Sequence, residues 1–343
     1  MNRVSHLACV PLTAPQLAAL ASAGLAGLLG VTTFASGGVP LADDVPHLAI
    51  AAPRLGAVPP GAAEGWTSAL PCRSGSGDGL RYRSDGEVIY GVLTVAETDF
   101  AGGGGASPLQ RATEEAYRSI FRLLTDQGFP HLWRLWNYLA DINGDGGGLE
   151  RYRQFNIGRE DAFLATGHAV ADQAPAACAL GVGAGPLAIA FLAGRSPALL
   201  LENPRQVSAY RYPADYGPRR PSFSRAALAR LAGQELLFIS GTASIVGHRT
   251  VHAGDASGQT RESLANIAAV LEQANRHTRG RPYTLADLGY RIYVRHAADF
   301  PRVQEIFTAI VGAAAATYVQ ADICRTDLLV EIEAQAWQAT GED

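Results

Sequence analysis

The clearest pattern in the chain is a strict alternation near its end. In LLVEIEAQAW (328–337), Leu328, Val330, Ile332, Ala334 and Ala336 fall on one face, and Leu329, Glu331, Glu333 and Gln335 on the other. A side-chain period of two predicts a half-buried β-strand. Elsewhere the period becomes helical. In ATEEAYRSIFRLLTDQ (112–127), Ala116, Ile120, Phe121 and Leu124 recur at i, i+4, i+5 and i+8, which predicts an amphipathic helix.

These patterns recur in a fixed order. GEVIYGVLTV (86–95) reads as a strand with a central glycine. The helix 112–127, a strand (131–142), a second helix (149–164) and two strands (176–182 and 186–194) follow it. The second half repeats the order: a glycine-centred strand (235–247), a helix opened by Thr260 as N-cap (260–276), a strand (288–300), a helix with Pro301 in its first turn (301–315), and the closing strands TYVQADICR (317–325) and 328–337. The expected fold class is α/β (α+β): two tandem units, each a mixed sheet with helices packed on one face. The expected domains are 1–198, including an N-terminal extension, and 226–343. The connector 199–225 is rich in proline, aromatics and arginine, and is expected to lie ordered on the surface or to line a site.

Composition narrows the class of protein. The 343 residues are 48% apolar and 17% charged, as in globular proteins, and suffice for two cores. A net charge of −4 gives no reason to expect nucleic acid or an anionic membrane as partner. The four cysteines form no CxxC pair and no zinc-ligand spacing, and read as reduced thiols in a cytoplasmic protein. The Ala/Gly/Leu-rich stretch 17–38 is too weakly apolar to span a bilayer and is read as part of the fold.

Candidate chemistry starts from the carboxylates. Glu331 and Glu333 share one strand face. If that face is wet, nothing follows. If another domain covers it, burial and a like charge raise one carboxyl into the range of a general acid. Cys324 lies seven residues upstream, where packing is the ordinary role of a buried thiol. Arginines cluster at Arg151, Arg153 and Arg159, at Arg205 and Arg211, at Arg291 and Arg295, and at Arg325. Guanidinium groups bind carboxylates in bidentate fashion, although most single arginines are solvated surface charges. AGGGGASP (101–108) lacks a P-loop ending and reads as a loop; SGTAS (240–244) lacks the flanks of a nucleophile elbow.

Particular segments carry a resemblance. FISGTA (238–243) and VEIEA (330–334) resemble a RidA/YjgF-type domain. Both repeats together resemble the chorismatases, including the 3-hydroxybenzoate synthases, through HLWRLWNYLADIN (131–143), ERYRQFNIGR (150–159), LENPRQVSAYRYP (201–213), SGTASIVGH (240–248) and ADICRTDLLVEIEA (321–334). The resemblance implies a lyase/hydrolase that converts chorismate to 3-hydroxybenzoate, alone or with 4-hydroxybenzoate, and pyruvate, without metal or organic cofactor. It implies Glu331 and Cys324 as catalytic residues. Tyr152, Arg159, Arg205, Tyr212 and Arg295 are implied in substrate binding, with Gly241 or Ala243 as the small residue that influences product choice. It also implies a monomer whose domains mimic a RidA trimer. Three alternatives stand beside it: hydrolysis to a dihydroxycyclohexadiene carboxylate, a RidA-like imine deaminase, and a non-catalytic small-ligand sensor.

Overall fold

The computed structural model describes residues 6–22, 26–34, 41–57, 63–102, 105–167 and 174–341. Three large sheets organise them, beside a two-stranded hairpin of Ile245–Val246 and Arg249–Thr250. A four-stranded sheet takes Leu7–Leu12, Leu28–Phe34, His47–Ile50 and Ala63–Ser68. A seven-stranded sheet holds the first repeat around the central strands Val88–Val95, His131–Ala140, Ala176–Val182 and Leu187–Gly194. A six-stranded sheet holds the second, around Gln234–Ala243, Gly289–Val294 and Val330–Ala339. Both repeat sheets mix parallel and antiparallel pairs, with helices on one face, as the sequence predicts.

Each sheet separates an outer core from an inner one. Val330, Ile332, Ala334 and Ala336 pack with Leu264, Ile267 and Phe307 of the helices Ala256–Asn275 and Phe300–Val311. Ile89, Leu93, Leu135 and Leu139 pack in the same way with Tyr117, Ile120 and Phe163 of Pro108–Gln127 and Arg151–Ala165. The small sheet has its own outer cluster, with Leu17 of the helix Ala14–Ser22. The inner faces of all three sheets meet in a central core that includes Trp66, Tyr90, Trp136, Tyr138, Phe238 and Tyr293. Most of the 17–38 stretch thus forms a helix and a strand; residues 23–25 and 35–38 lie outside the described residues.

Several local readings need correction. The second repeat's first helix begins at Ala256, where Asp255 caps it by accepting from Ser257 N at 3.0 Å. Thr260 is buried inside that helix and donates to Ala256 O at 2.7 Å. The segment read as one closing strand is two. Ala316–Gln320 pairs with Gly289–Val294, whereas Asp322–Ile323 crosses to the edge of the first repeat's sheet, beside Leu180 and Gly181. This crossing delivers the next residue, Cys324, to the junction of the repeats. The strand read to Phe300 ends at Val294, and a 3₁₀ turn follows over Ala297–Asp299. Residues 103 and 104 of the Gly-rich loop lie outside the described residues; Ser107 and Pro108 begin the helix, with Ser107 Oγ accepting from Gln110 N at 3.1 Å.

Candidate active site

The inward face of Val330–Ala339 carries Glu331 and Glu333, each only 4% exposed. The face that could have been wet is therefore covered by the first repeat. The two carboxylates have different surroundings. Glu333 pairs with Arg134 of the first repeat and, at 2.8 Å, with Nη1 of Arg291. Arg291 also pairs with Glu64 of the small sheet, and donates to Tyr138 Oη at 3.0 Å. One ion network thus joins all three sheets.

Glu331 instead faces a cavity of about 250 Å³ at the junction of the repeats. Burial pushes its carboxyl up to about 8, the nearby negative charge of Glu333 adds to the rise, and Arg134 and Arg225 oppose it. A carboxyl in that range carries its proton at neutral pH and can deliver it. Position 241 makes room for it: a Cβ built on Gly241 would overlap Glu331 Oε1. The first repeat contrasts with this. A Cβ on its strand glycine, Gly91, would overlap the ring of Phe191, its direct cross-strand partner. Equivalent gaps thus hold an aromatic ring in one repeat and an acid in the other.

The helix Arg151–Ala165 sends Tyr152, Arg153 and Arg159 to the cavity wall. Gly158 lets this helix approach Pro108–Gln127, since a Cβ there would overlap Gln110 O. Arg159 is 1% exposed, donates through Nη2 to Asn156 Oδ1 at 2.9 Å, and stacks over Phe155. The connector supplies Tyr212, Asp215, Tyr216, Pro221, Phe223 and Arg225. Two 3₁₀ turns, Ala209–Arg211 and Ala214–Tyr216, order it. Arg225 donates to Val207 O at 2.8 Å and Tyr212 Oη at 2.9 Å. Among the described residues, the buried Nε atoms of Arg159 and Arg225 have no hydrogen-bond partner. Such donors call for an acceptor.

Cys324 and Cys178 also line the cavity. Burial pushes the Cys324 thiol up to about 12, with the charge of Glu331 adding to the rise. A neutral thiol is a poor nucleophile and a good apolar wall. Burial also raises the Tyr152 phenol.

The cavity therefore brings together Tyr152, Arg159, Tyr212, Gly241, Ala243, Cys324 and Glu331. Arg205 and Arg295, expected at the substrate, are placed elsewhere. Arg205 pairs with Glu262 at 2.7 Å and donates to Asn266 Oδ1 at 2.9 Å. Arg295 pairs with Asp322 at 2.6 Å and donates to the carbonyls of Ile323, Arg325 and Leu328. Its guanidinium pins the segment that carries Cys324 and does not line the Glu331 cavity. Sequence reasoning missed Arg225, Tyr216 and Cys178. The aromatic and arginine content of the connector pointed to its neighbourhood, but no spacing singled them out.

An acid held between the inner faces of two sheet-and-helix repeats defines a tandem RidA-like protein. Residues 220–338 match the family described as endoribonuclease L-PSP, and residues 64–193 match "Chorismatase FkbO/Hyg5-like, N-terminal". A chorismatase of Streptomyces rapamycinicus is 40% identical over 338 residues, covering 94% of this chain and 98% of that protein. A 3-hydroxybenzoate synthase of Streptomyces hygroscopicus is 40% identical over 79% of this chain and 80% of its own length. A crystal structure of a chorismatase superposes with a TM-score of 0.84 at 33% identity, covering 97% of this chain and all of that one. The chain belongs to the chorismatase family.

Proposed function

We propose that the protein cleaves chorismate to 3-hydroxybenzoate and pyruvate, with Glu331 as the acid. The observation that carries this reading is the buried Glu331 carboxyl in a cavity with two unpartnered guanidinium nitrogens. Relatives named chorismatase and 3-hydroxybenzoate synthase support it. The cavity wall holds four arginines (Arg153, Arg159, Arg225 and Arg325) against two carboxylates besides the protonated Glu331, namely Glu150 and Asp215. The excess of two positive charges complements a dianion, and chorismate carries two carboxylates.

Glu331 protonates the terminal methylene carbon of the enolpyruvyl ether, leaving an oxocarbenium ion. Water attacks that cation, the hemiketal so formed collapses with cleavage of the ether bond, and pyruvate leaves while the ring keeps the ether oxygen as a hydroxyl. In the aromatising branch the ring then loses its hydroxyl as water, so chorismate becomes 3-hydroxybenzoate and pyruvate with no net water consumed. In the hydrolytic branch one water is consumed and the ring remains a diene. Arg159 and Arg225 hold the carboxylates, Tyr152 and Tyr212 shape the opening, and the neutral Cys324 lies against the ring. General acid catalysis accounts for roughly 10²–10⁴-fold; positioning and electrostatics supply the rest. The inner faces needed for the site all come from one chain, which supports a monomer as the working unit.

Incubation with chorismate, chromatography of the products and enzymatic assay of pyruvate test the reading. The expected products are 3-hydroxybenzoate and pyruvate in equal amounts. A dihydroxycyclohexadiene carboxylate in place of the aromatic acid would move the assignment to hydrolysis, and absence of pyruvate would end it. Glu331→Gln is expected to lower pyruvate release by at least ~10²-fold while leaving ligand affinity within a few-fold.

A further inference from the structure

A second cavity, of about 300 Å³, lies between the small N-terminal sheet and the second repeat. Its walls include Cys9 and Pro11 from the first strand, and Ala315, Thr317 and Gln335 from the second repeat. Tyr290 and Ala334 border it from strands whose other face carries their side chains into the outer core. The reaction at Glu331 uses none of these residues. The charged groups are Arg54, Arg134 and Arg291, facing Glu64 and Glu333. Both carboxylates are already engaged. Glu333 pairs with Arg134 and Arg291, and Glu64 with Arg291. Three guanidinium groups against two carboxylates leave one positive charge in excess; among the described residues Arg54 makes no direct ion pair, and Glu64 acts on it through space. Among the described residues, the buried Nε atoms of Arg54 and Arg291 have no hydrogen-bond partner, and Arg291 is 7% exposed.

Buried, unpartnered guanidinium nitrogens call for an acceptor. A single excess charge selects a monoanion, since a dianion would leave one charge uncompensated in a partly desolvated space. The planar fork of a guanidinium matches a carboxylate, and the apolar walls leave room for a hydrocarbon body. We propose that this cavity is a second binding site, for a monocarboxylate of about one aromatic ring in size, held by Arg54 and Arg291. The site is separate from the cavity at Glu331 and does not depend on the reaction proposed there.

The probe is 4-bromobenzoate. Anomalous scattering from crystals of the wild-type protein soaked with it is expected to place bromine in the cavity between the N-terminal sheet and the second repeat, with the carboxylate within hydrogen-bond distance of Arg54 and Arg291. In solution, calorimetry is expected to show a binding event whose Kd rises at least tenfold in Arg54→Met, while chorismate turnover stays unchanged. Bromine only in the Glu331 cavity, bromine in neither cavity, or equal affinity in wild type and Arg54→Met overturns the proposal. The crystal measurement uses the unmodified chain and stands whatever the variant's stability.

Discussion

The α-carbon of Gly241 lies so close to the carboxyl of Glu331 that a methyl group at position 241 would overlap Oε1. Thr242 and Ala243 pair with Ile332 and Glu331 after a register shift that begins at Ile239. The irregularity and the missing side chain together create the space that the acid occupies.

Gly241→Ala is therefore expected to displace the Glu331 carboxyl without unfolding the strand. A displacement of about 1 Å at a reacting group costs roughly 10²-fold in rate. Pyruvate release by the variant should fall by at least tenfold, with its melting temperature within a few degrees of wild type. Wild-type turnover would mean that the acid does not need this gap.

The raised pKa of Glu331 makes stability depend on pH. Its carboxyl moves from an ordinary 4.5 to about 8 on folding, so between those values the native state binds more protons than the unfolded chain. By linkage, stability is then lost as pH rises across this window. At full ionisation the loss is on the order of 5 kcal/mol. Glu331→Gln removes that dependence. Urea unfolding at pH 5, 7 and 9 should show the variant's advantage growing with pH; a constant difference would contradict a buried, protonated Glu331.

Glu333 has the opposite role, as the counter-charge for Arg134 and Arg291. Glu333→Gln leaves two buried guanidinium groups without it. Removing one partner of a buried ion pair typically destabilises by about 3–5 kcal/mol. Chemical denaturation should show a loss of that order, well above the effect of Glu331→Gln at pH 5.

Cys324 reaches the cavity only because Asp322–Ile323 crosses to the first repeat's sheet. With its thiol neutral, its expected influence is on how the ring sits after the ether breaks. Cys324→Ala should change the ratio of aromatic to hydrolytic product, read by chromatography, with total pyruvate within about tenfold of wild type. An unchanged ratio would reduce the residue to packing.

The sequence by itself determined the period-two strand, the repeated order of strands and helices, and the fact that Glu331 and Glu333 share a face. These are local properties: parity along a strand and the helical repeat depend on neighbouring residues alone. Its resemblance to a family also pointed to Glu331, Cys324, Tyr152, Arg159 and Tyr212, which the fold gathers around one cavity. Only the tertiary structure decided that the shared face is buried, and that one carboxylate is paired while its neighbour faces a cavity. The partner Arg134 lies 199 residues before Glu333, a separation that no local pattern encodes. The same limit explains why Arg205 and Arg295, plausible as substrate clamps, pair instead with Glu262 and Asp322, while Arg225 stands at the site. A charge's role is set by what folding brings within a few ångströms of it and by how much water that contact excludes.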